Sequence, residues 1–372
     1  MKKILITGAS GFIGSFIVEE ALARGMEVWA GVRKSSSRRY LQDERIHFID
    51  LNLDSKEQLK QQLSSHTFDY IVHAAGVTKC INKADFFRVN TEGTRHLVDA
   101  LIELQMPLEH FVFISSLSVF GAIREKQPYE LIRDTDTPQP NTAYGQSKLE
   151  AEKVIKERFT VYSLPFTVNY DVQSADKDHI NDQSNHLSTV NRKPSTVFPC
   201  TILRPTGVYG PRERDYFLMA KSIKGHSDFS VGYQQQDITF VYVKDVVQAV
   251  FLALHTPHST LHTPRCYFLS DGEVYQSSTF SDLIIKEMGN PWCLRIKAPI
   301  WVLRVVTACG EWLSHFTGKI SALNNDKYHI LKQRNWQCDI QPAIDELGYK
   351  PQYNLERGVK ETIAWYKKEG WL

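Results

Sequence analysis

The chain has 372 residues, 42% hydrophobic and 23% charged, enough to bury a sizeable core in one large domain or two interlocked ones. Its 44 basic and 42 acidic side chains nearly cancel to +2, which gives no reason to expect nucleic acid or an anionic membrane as partner. Six cysteines form no Cys-x-x-Cys pair, no signal-peptide pattern is visible, and the apolar run 299–310 is short and interrupted by Arg304, so a cytoplasmic protein without a membrane span is expected.

Residues 3–7 form a short apolar β-type run, followed at once by Gly8-Ala9-Ser10-Gly11-Phe12-Ile13-Gly14 and then by helix-period residues to about Ala23. Strand, glycine turn and helix open a dinucleotide-binding unit. Gly8 can take the turn, Gly11 lets backbone N–H groups approach a pyrophosphate, and Gly14 lets the helix pack closely on the strand, while the helix N-terminus offers unsatisfied donors and partial positive charge.

The next strand, 28–32, ends in Arg33-Lys34, with Arg38-Arg39 just after. An acidic residue there would accept hydrogen bonds from an adenosine ribose, whereas arginine suits a 2′-phosphate, so NADP is favoured and NAD is the alternative. A solvated basic loop is the other reading of the same residues. Strands at 47–49 and 70–73 end in Asp50-Leu51 and Ala74-Ala75-Gly76, where small residues let a flat ring or ribose lie against the backbone. A helix over 87–104 carries Asn90, and the strand 111–114 ends in Ser115-Ser116. After a proline-containing loop at 122–141, the spacing predicts a helix over 142–158 that sets Tyr144 and Lys148 on one face. A cation beside a phenol favours its phenolate, so the pair can deliver a proton; such a pair also occurs on solvated helix faces.

Residues 160–197 break the alternation with a polar stretch, read as an inserted surface loop, with a substrate lid as the sharper reading. Strand 201–203, the turn-rich 206–211, strand 238–243, a helix ending near Leu254 and strand 266–269 follow. The rest is helical and tryptophan-rich, and aromatic residues at helical spacing usually mark core. His255, His258 and His262 lie close together, but Pro257 and Pro264 break any helix that would align them, so no metal site is expected. The pattern as a whole predicts an α/β protein: a Rossmann-type doubly wound parallel sheet with a smaller, mostly helical C-terminal substrate domain. The expected division is 1–205 plus 238–272 for the NAD(P)-binding domain and 206–237 plus 273–372 for the substrate domain.

Taken in order, Thr7-Gly8-Ala9-Ser10-Gly11-Phe12-Ile13-Gly14, His73-Ala74-Ala75-Gly76, Ser115-Ser116-Leu117-Ser118-Val119-Phe120-Gly121, Tyr144-Gly145-Gln146-Ser147-Lys148 and Arg204-Pro205-Thr206-Gly207-Val208-Tyr209-Gly210-Pro211 resemble the extended short-chain dehydrogenases/reductases, the superfamily of NAD-dependent epimerases/dehydratases. The resemblance implies Tyr144 as general acid/base, Lys148 holding the nicotinamide ribose and lowering the tyrosine pKa, and Ser116 bonding the substrate oxygen. It implies a cofactor along Gly8, Ser10, Gly11, Phe12, Ile13, Gly14, Arg33, Asp50, Leu51, Ala74, Ala75, Gly76 and Pro205, with Tyr144 and Lys148 beside it, a small-molecule substrate, and a homodimer. Two departures narrow the reaction. Sugar-nucleotide 4,6-dehydratases carry Thr-Asp-Glu where this chain has Ser116-Leu117-Ser118, and many sugar-nucleotide epimerases carry a diphosphate-gripping arginine where it has Ile238. Arg212 or Arg214 can substitute for that arginine, which keeps a nucleotide-sugar epimerase as the second reading. Arg33 and Ile238 look more like the dihydroflavonol-reductase and 3β-hydroxysteroid-dehydrogenase branches. An NADP(H)-preferring carbonyl reductase or alcohol dehydrogenase acting on a small, fairly apolar substrate is the leading expectation.

Overall fold

A computed structural model describes residues 1–161, 199–256, 264–317 and 324–372. The polar insertion at 160–197 falls almost wholly outside these residues, as do His258 and His262. Strands β1 (Lys3–Thr7), β2 (Glu27–Val32), β3 (His47–Asp50), β4 (Tyr70–His73), β5 (His110–Ile114), β6 (Cys200–Pro205) and β7 (Arg265–Leu269) form one parallel sheet in the order β7-β6-β5-β4-β1-β2-β3. These strands read as near-continuous apolar runs because both faces are covered. Ile4 and Ile6 point to one face, which helix α1 (Phe12–Ala23) packs against, and Leu5 points to the other, beneath α2 (Lys56–Leu63) and α3 (Gly93–Glu103). Each such fully buried aliphatic side chain contributes about 1.5–3 kcal/mol of burial energy.

The strand order reverses between β1 and β4, and doubly wound sheets bind ligands at such a switch point. The turn after β1 and the small residues after β4 meet there, with Ala74 N–H donating to Thr7 O at 3.2 Å. Helix α4 (Ala143–Val161) carries Tyr144 and Lys148 on the face toward β5. A third apolar cluster lies entirely beyond residue 208, built from Tyr209, Phe240, Tyr242, Phe280, Val359 and Tyr366 among others. Phe240–Tyr242 pairs with Gly207–Tyr209 outside the main sheet, whereas the next helix, α5 (Val243–His255), returns to pack on α1. Helices α6 (Ile300–Thr317) and α7 (Asn325–Lys332) pack on each other. The tryptophans divide. Trp365 and Trp371 pack with Tyr366 in the third cluster, but Trp292, Trp301 and Trp312 are solvent-exposed, contrary to the expectation of core.

Candidate active site

Local chemistry builds the cradle at the switch point. Gly8 has φ +69, and a Cβ there would lie 2.6 Å from Ala75 N. A Cβ on Gly14 would lie 2.2 Å from Gly8 O, so both positions need glycine. Gly11 is the N-cap of α1 and brings no capping side chain, which leaves the first-turn N–H groups for an anion. A cavity of ≈ 220 Å³ opens here. Gly8, Ser10, Gly11, Arg33, Leu51, Ala74, Ala75 and Gly76 line it, all of them singled out in the sequence. Phe12, Ile13 and Gly14 form the first turn of α1 behind the lining. Asp50 sits one residue before the lining and pairs with Lys34 at 3.8 Å, and Pro205 ends β6 away from the cavity. Ser36, Asn52, Asp54, Val77 and Arg88 also line it, without a motif to mark them in the sequence.

At the cavity's basic end the three predicted arginines have different fates. Arg38 lies over the Phe48 ring at 4.0 Å and Arg39 reaches Glu369 at 3.6 Å. Arg33 faces the cavity and has no ion-pair partner among the described residues; its backbone N–H donates to Ser36 Oγ at 3.1 Å.

Ser116 follows β5 in an extended conformation and accepts from Ser118 N–H at 3.1 Å. Its side chain lies near enough to the Tyr144 phenol to act on it. Burial pushes the Tyr144 phenol above its ordinary range, and the Ser116 side chain pulls it part of the way back. Lys148 lies one helical turn on, its Nζ donating to Ile114 O at 2.5 Å and sitting 4.1 Å from the centre of the Phe113 ring. Burial brings the Lys148 ammonium down to about 7. Its ammonium is turned toward the end of β5.

A buried network beneath the site was not legible in the sequence. Ala75 N–H donates to Thr7 Oγ1 at 3.3 Å, and Thr7 Oγ1 meets His73 Nδ1 at 2.6 Å. His73 Nε2 meets Thr94 Oγ1 at 2.9 Å, and Thr94 Oγ1 donates to Asn90 O at 2.6 Å. With the Thr94 proton committed to that carbonyl, His73 carries its proton on Nε2 and accepts from Thr7 at Nδ1. Burial and then the nearby Lys148 charge hold His73 down to about 3, so it stays neutral.

Asn90 lies in a π-turn, Phe87–Glu92, between Lys83–Phe86 and α3. Such turns inside helices recur at functional sites. Its amide accepts from Val77 N–H at 2.8 Å and donates to Val77 O at 3.0 Å and Ser147 Oγ at 2.9 Å. Asn90 therefore ties the cavity wall to the turn of α4 that holds Tyr144 and Lys148.

Two further acids fix α4. Glu152 continues the Tyr144–Lys148 face and is fully buried. Ser115 Oγ donates to it at 2.6 Å, and Arg204 grips it with two bonds of 2.9 and 2.6 Å. Burial pushes the Glu152 carboxyl up, but Arg204 and Ser115 outweigh it and leave it below its ordinary range. Asp326 of α7 accepts from Ala143 N–H at 3.3 Å and Tyr144 N–H at 3.2 Å, capping the end of α4 that carries the phenol. On the C-terminal side, Asp215 bridges Lys79 and Lys327. Of the three positions weighed for a diphosphate, Arg214 is the N-cap residue of the helix Asp215–Lys224, and the other two are otherwise engaged. Ile238 packs against the third apolar cluster. Arg212 donates to Ser15 Oγ at 2.9 Å, pairs with Glu19, and lies between the Phe16 and Tyr40 rings at 4.2 and 4.4 Å.

Comparison with known proteins agrees with this architecture. A family model described as "NAD dependent epimerase/dehydratase family" matches residues 4–169, and one described as "3-beta hydroxysteroid dehydrogenase/isomerase family" matches residues 174–299. The chain is 24% identical to the Schizosaccharomyces pombe sterol-4-alpha-carboxylate 3-dehydrogenase erg26, decarboxylating, over 99% of this chain and 98% of that one. It is likewise 24% identical to the UDP-glucose 4-epimerase of Vibrio cholerae, over 97% of this chain and 94% of that one. Among solved structures, UDP-glucose 4-epimerase from Thermotoga maritima, with UDP-glucose, superposes with a TM-score of 0.72 at 20% identity, covering 99% of both chains. MoeE5 in complex with UDP-glucuronic acid and NAD superposes with a TM-score of 0.68 at 20% identity, again over 99% of both chains.

Proposed function

Because the chain belongs to the extended short-chain dehydrogenase/reductase superfamily, we propose that it is an NADP(H)-preferring oxidoreductase that reduces a carbonyl or oxidises an alcohol on a small, fairly apolar substrate. Ser116, Tyr144 and Lys148 are its reacting set. When bound, the nicotinamide ring supplies the hydride chemistry. The glycine turn and the first turn of α1 hold the cofactor's phosphates, Arg33 holds the adenosine end, and Lys148, beside Gly76, holds the nicotinamide end. The Tyr144 phenol gives a proton to the carbonyl oxygen in reduction and takes it back in oxidation. Ser116 bonds the same oxygen and keeps it in line with the phenol, so that charge never develops there unaided. His73, Asn90 and Glu152 position these groups without touching the reacting atoms.

The observation that carries this reading is the nearness of the Ser116 side chain to the Tyr144 phenol, on the same sheet edge as the glycine cradle. The apolar substrate is favoured by the aliphatic Ile238, by the commitment of Arg212 to α1, and by the 3-beta hydroxysteroid dehydrogenase match over 174–299. Residues 1–205 plus 238–272 serve as the cofactor domain in this reading, and 206–237 plus 273–372 as the substrate domain. The similarity to a UDP-glucose 4-epimerase supports a second reading, in which the same tyrosine serves a nucleotide sugar with no net redox change. A panel of aliphatic and alicyclic ketones assayed with NADPH separates the two. Net NADPH consumption is expected; inversion of a UDP-sugar with no net change in cofactor would replace the first reading with the second.

A further inference from the structure

We propose that Asp326 is a positioning residue, an assignment that rests on Tyr144 as the proton donor: it holds the phenol in place through the backbone at the start of α4. A helix begins with backbone N–H groups that have no partner inside it. On α4, Thr142 Oγ1 accepts from Gly145 N–H at 3.0 Å, and Thr142 O accepts from Gln146 N–H at 3.0 Å. The two N–H groups nearer the start, those of Ala143 and Tyr144, donate one to each carboxylate oxygen of Asp326, at 3.3 and 3.2 Å. A cap commonly comes from the residue that opens the helix. Here it lies 182 residues further along the chain. Tyr144 is itself one of the capped residues, so the place of its backbone, from which the phenol extends, depends on where Asp326 stands.

What holds Asp326 is α7. Asn324 caps that helix by accepting from Lys327 N–H at 3.0 Å, which places Asp326 in its first turn. The carboxylate therefore stands at the N-terminal ends of two helices, and the partial positive charge of each favours it there. Lys327 fixes the same turn from the side. It pairs with Asp215 at 2.8 Å, and Asp215 also holds Lys79 of the loop after β4. Beyond the other end of α7, Gln333 Nε2 donates to Gly121 O at 2.9 Å and Arg334 N–H donates to Glu125 Oε1 at 2.7 Å. Gly121 directly follows the short turn Leu117–Val119 and its C-cap Phe120, the segment that Ser116 opens. The eight residues of α7, about 12 Å of helix, thus bridge the two segments that carry Ser116 and Tyr144.

The test uses the full chain, NADPH and the ketone of the panel that is reduced fastest. Asp326→Ala should lower kcat by roughly tenfold to a hundredfold, as a displaced reacting group does. Cofactor affinity should stay the same, because the glycine cradle lies on other elements. Deuterium exchange at the Ala143 and Tyr144 amides should speed up in the same variant. Asp326→Asn keeps an acceptor that caps about as well and should restore most of kcat. The decisive comparison is made in the Tyr144→Phe background. A residue that acts through the phenol has nothing left to position there, so adding Asp326→Ala should cause no further loss of kcat. A cap that merely stabilised α4 would lower the unfolding temperature in both backgrounds and leave kcat alone. Asp326→Ser, shorter but still polar, gives the same comparison where the alanine variant does not fold. Unchanged kcat, unchanged exchange at the two amides, or the same fold loss with and without the phenol overturns the proposal and leaves Tyr144 as the donor. Full turnover by Tyr144→Phe removes the donor and the proposal together.

Discussion

At the scale of single residues, the site depends on what burial does to ionisable groups. Tyr144 is pushed up and Lys148 is brought down to about 7, both by desolvation, so each is moved toward its neutral form. A neutral phenol is the form that can donate. Tyr144→Phe keeps the ring and removes the proton, and kcat should fall by roughly 10²–10⁴ while cofactor affinity, measured by fluorescence titration, stays nearly the same. Retained turnover would remove Tyr144 from the acid/base role. Lys148 allows a separate check through stability. Its folded pKa is depressed, so between about 7 and its unfolded value the unfolded chain binds the extra proton, and stability rises with pH across that window. Below about 7 both states are protonated and the burial penalty is fully present. Urea unfolding of the cofactor-free protein should show about 2 kcal/mol more stability gained by wild type than by Lys148→Met between pH 7 and 9. Parallel pH profiles for the two proteins would show that Lys148 does not titrate there.

At the scale of elements, α4 is the part that everything else holds. Its reacting end is capped by Asp326 of α7, its middle is tied to the π-turn through Ser147, and its next turn is anchored to β5 and β6 by Glu152. The Glu152–Arg204 pair has no solvent to fall back on, since both side chains are almost wholly buried. Glu152→Ala strands a buried guanidinium and should cost about 3–5 kcal/mol in urea unfolding, while replacing both partners with methionine should recover much of that loss. A loss below about 1 kcal/mol for the single variant would mean that the pair does not anchor α4. The predicted helix over 142–158 is observed as Ala143–Val161, and the 87–104 segment is helical but interrupted by the π-turn at Phe87–Glu92. That interruption lets the Asn90 amide pair with both backbone groups of Val77, an arrangement that hydrophobic period does not encode.

At the scale of the whole molecule, the switch point of the sheet places the cradle, the cavity and the phenol on one edge. The cavity's basic end decides the cofactor test. NADP should raise the unfolding midpoint more than NAD at equal concentration, since a tighter ligand of the native state stabilises it more. Arg33→Ala should erase that difference; an equal loss of shift for both nucleotides would detach Arg33 from the 2′-phosphate. The exposed Trp301 and Trp312 of α6 and the exposed Phe229 and Ile296 of the small sheet are apolar surface that whole-chain composition averages away.

The doubly wound sheet, the glycine turn, the strand-end positions of Arg33, Ala74 and Ser116, and the Tyr144–Lys148 helix were all legible in the sequence. Each follows from local rules: an apolar run buried on both faces, a left-handed φ at Gly8, and a four-residue helical spacing. Only the tertiary structure decided that His73 is a neutral link between Thr7 and Thr94, that Glu152 and Arg204 meet 52 residues apart, and that Arg212 belongs to α1 and is unavailable to a substrate. It also turned Lys148 toward Ile114 and left Trp301 and Trp312 in water. These outcomes depend on which distant segments arrive at the same point and on how much solvent they exclude there. Local spacing carries no information about either.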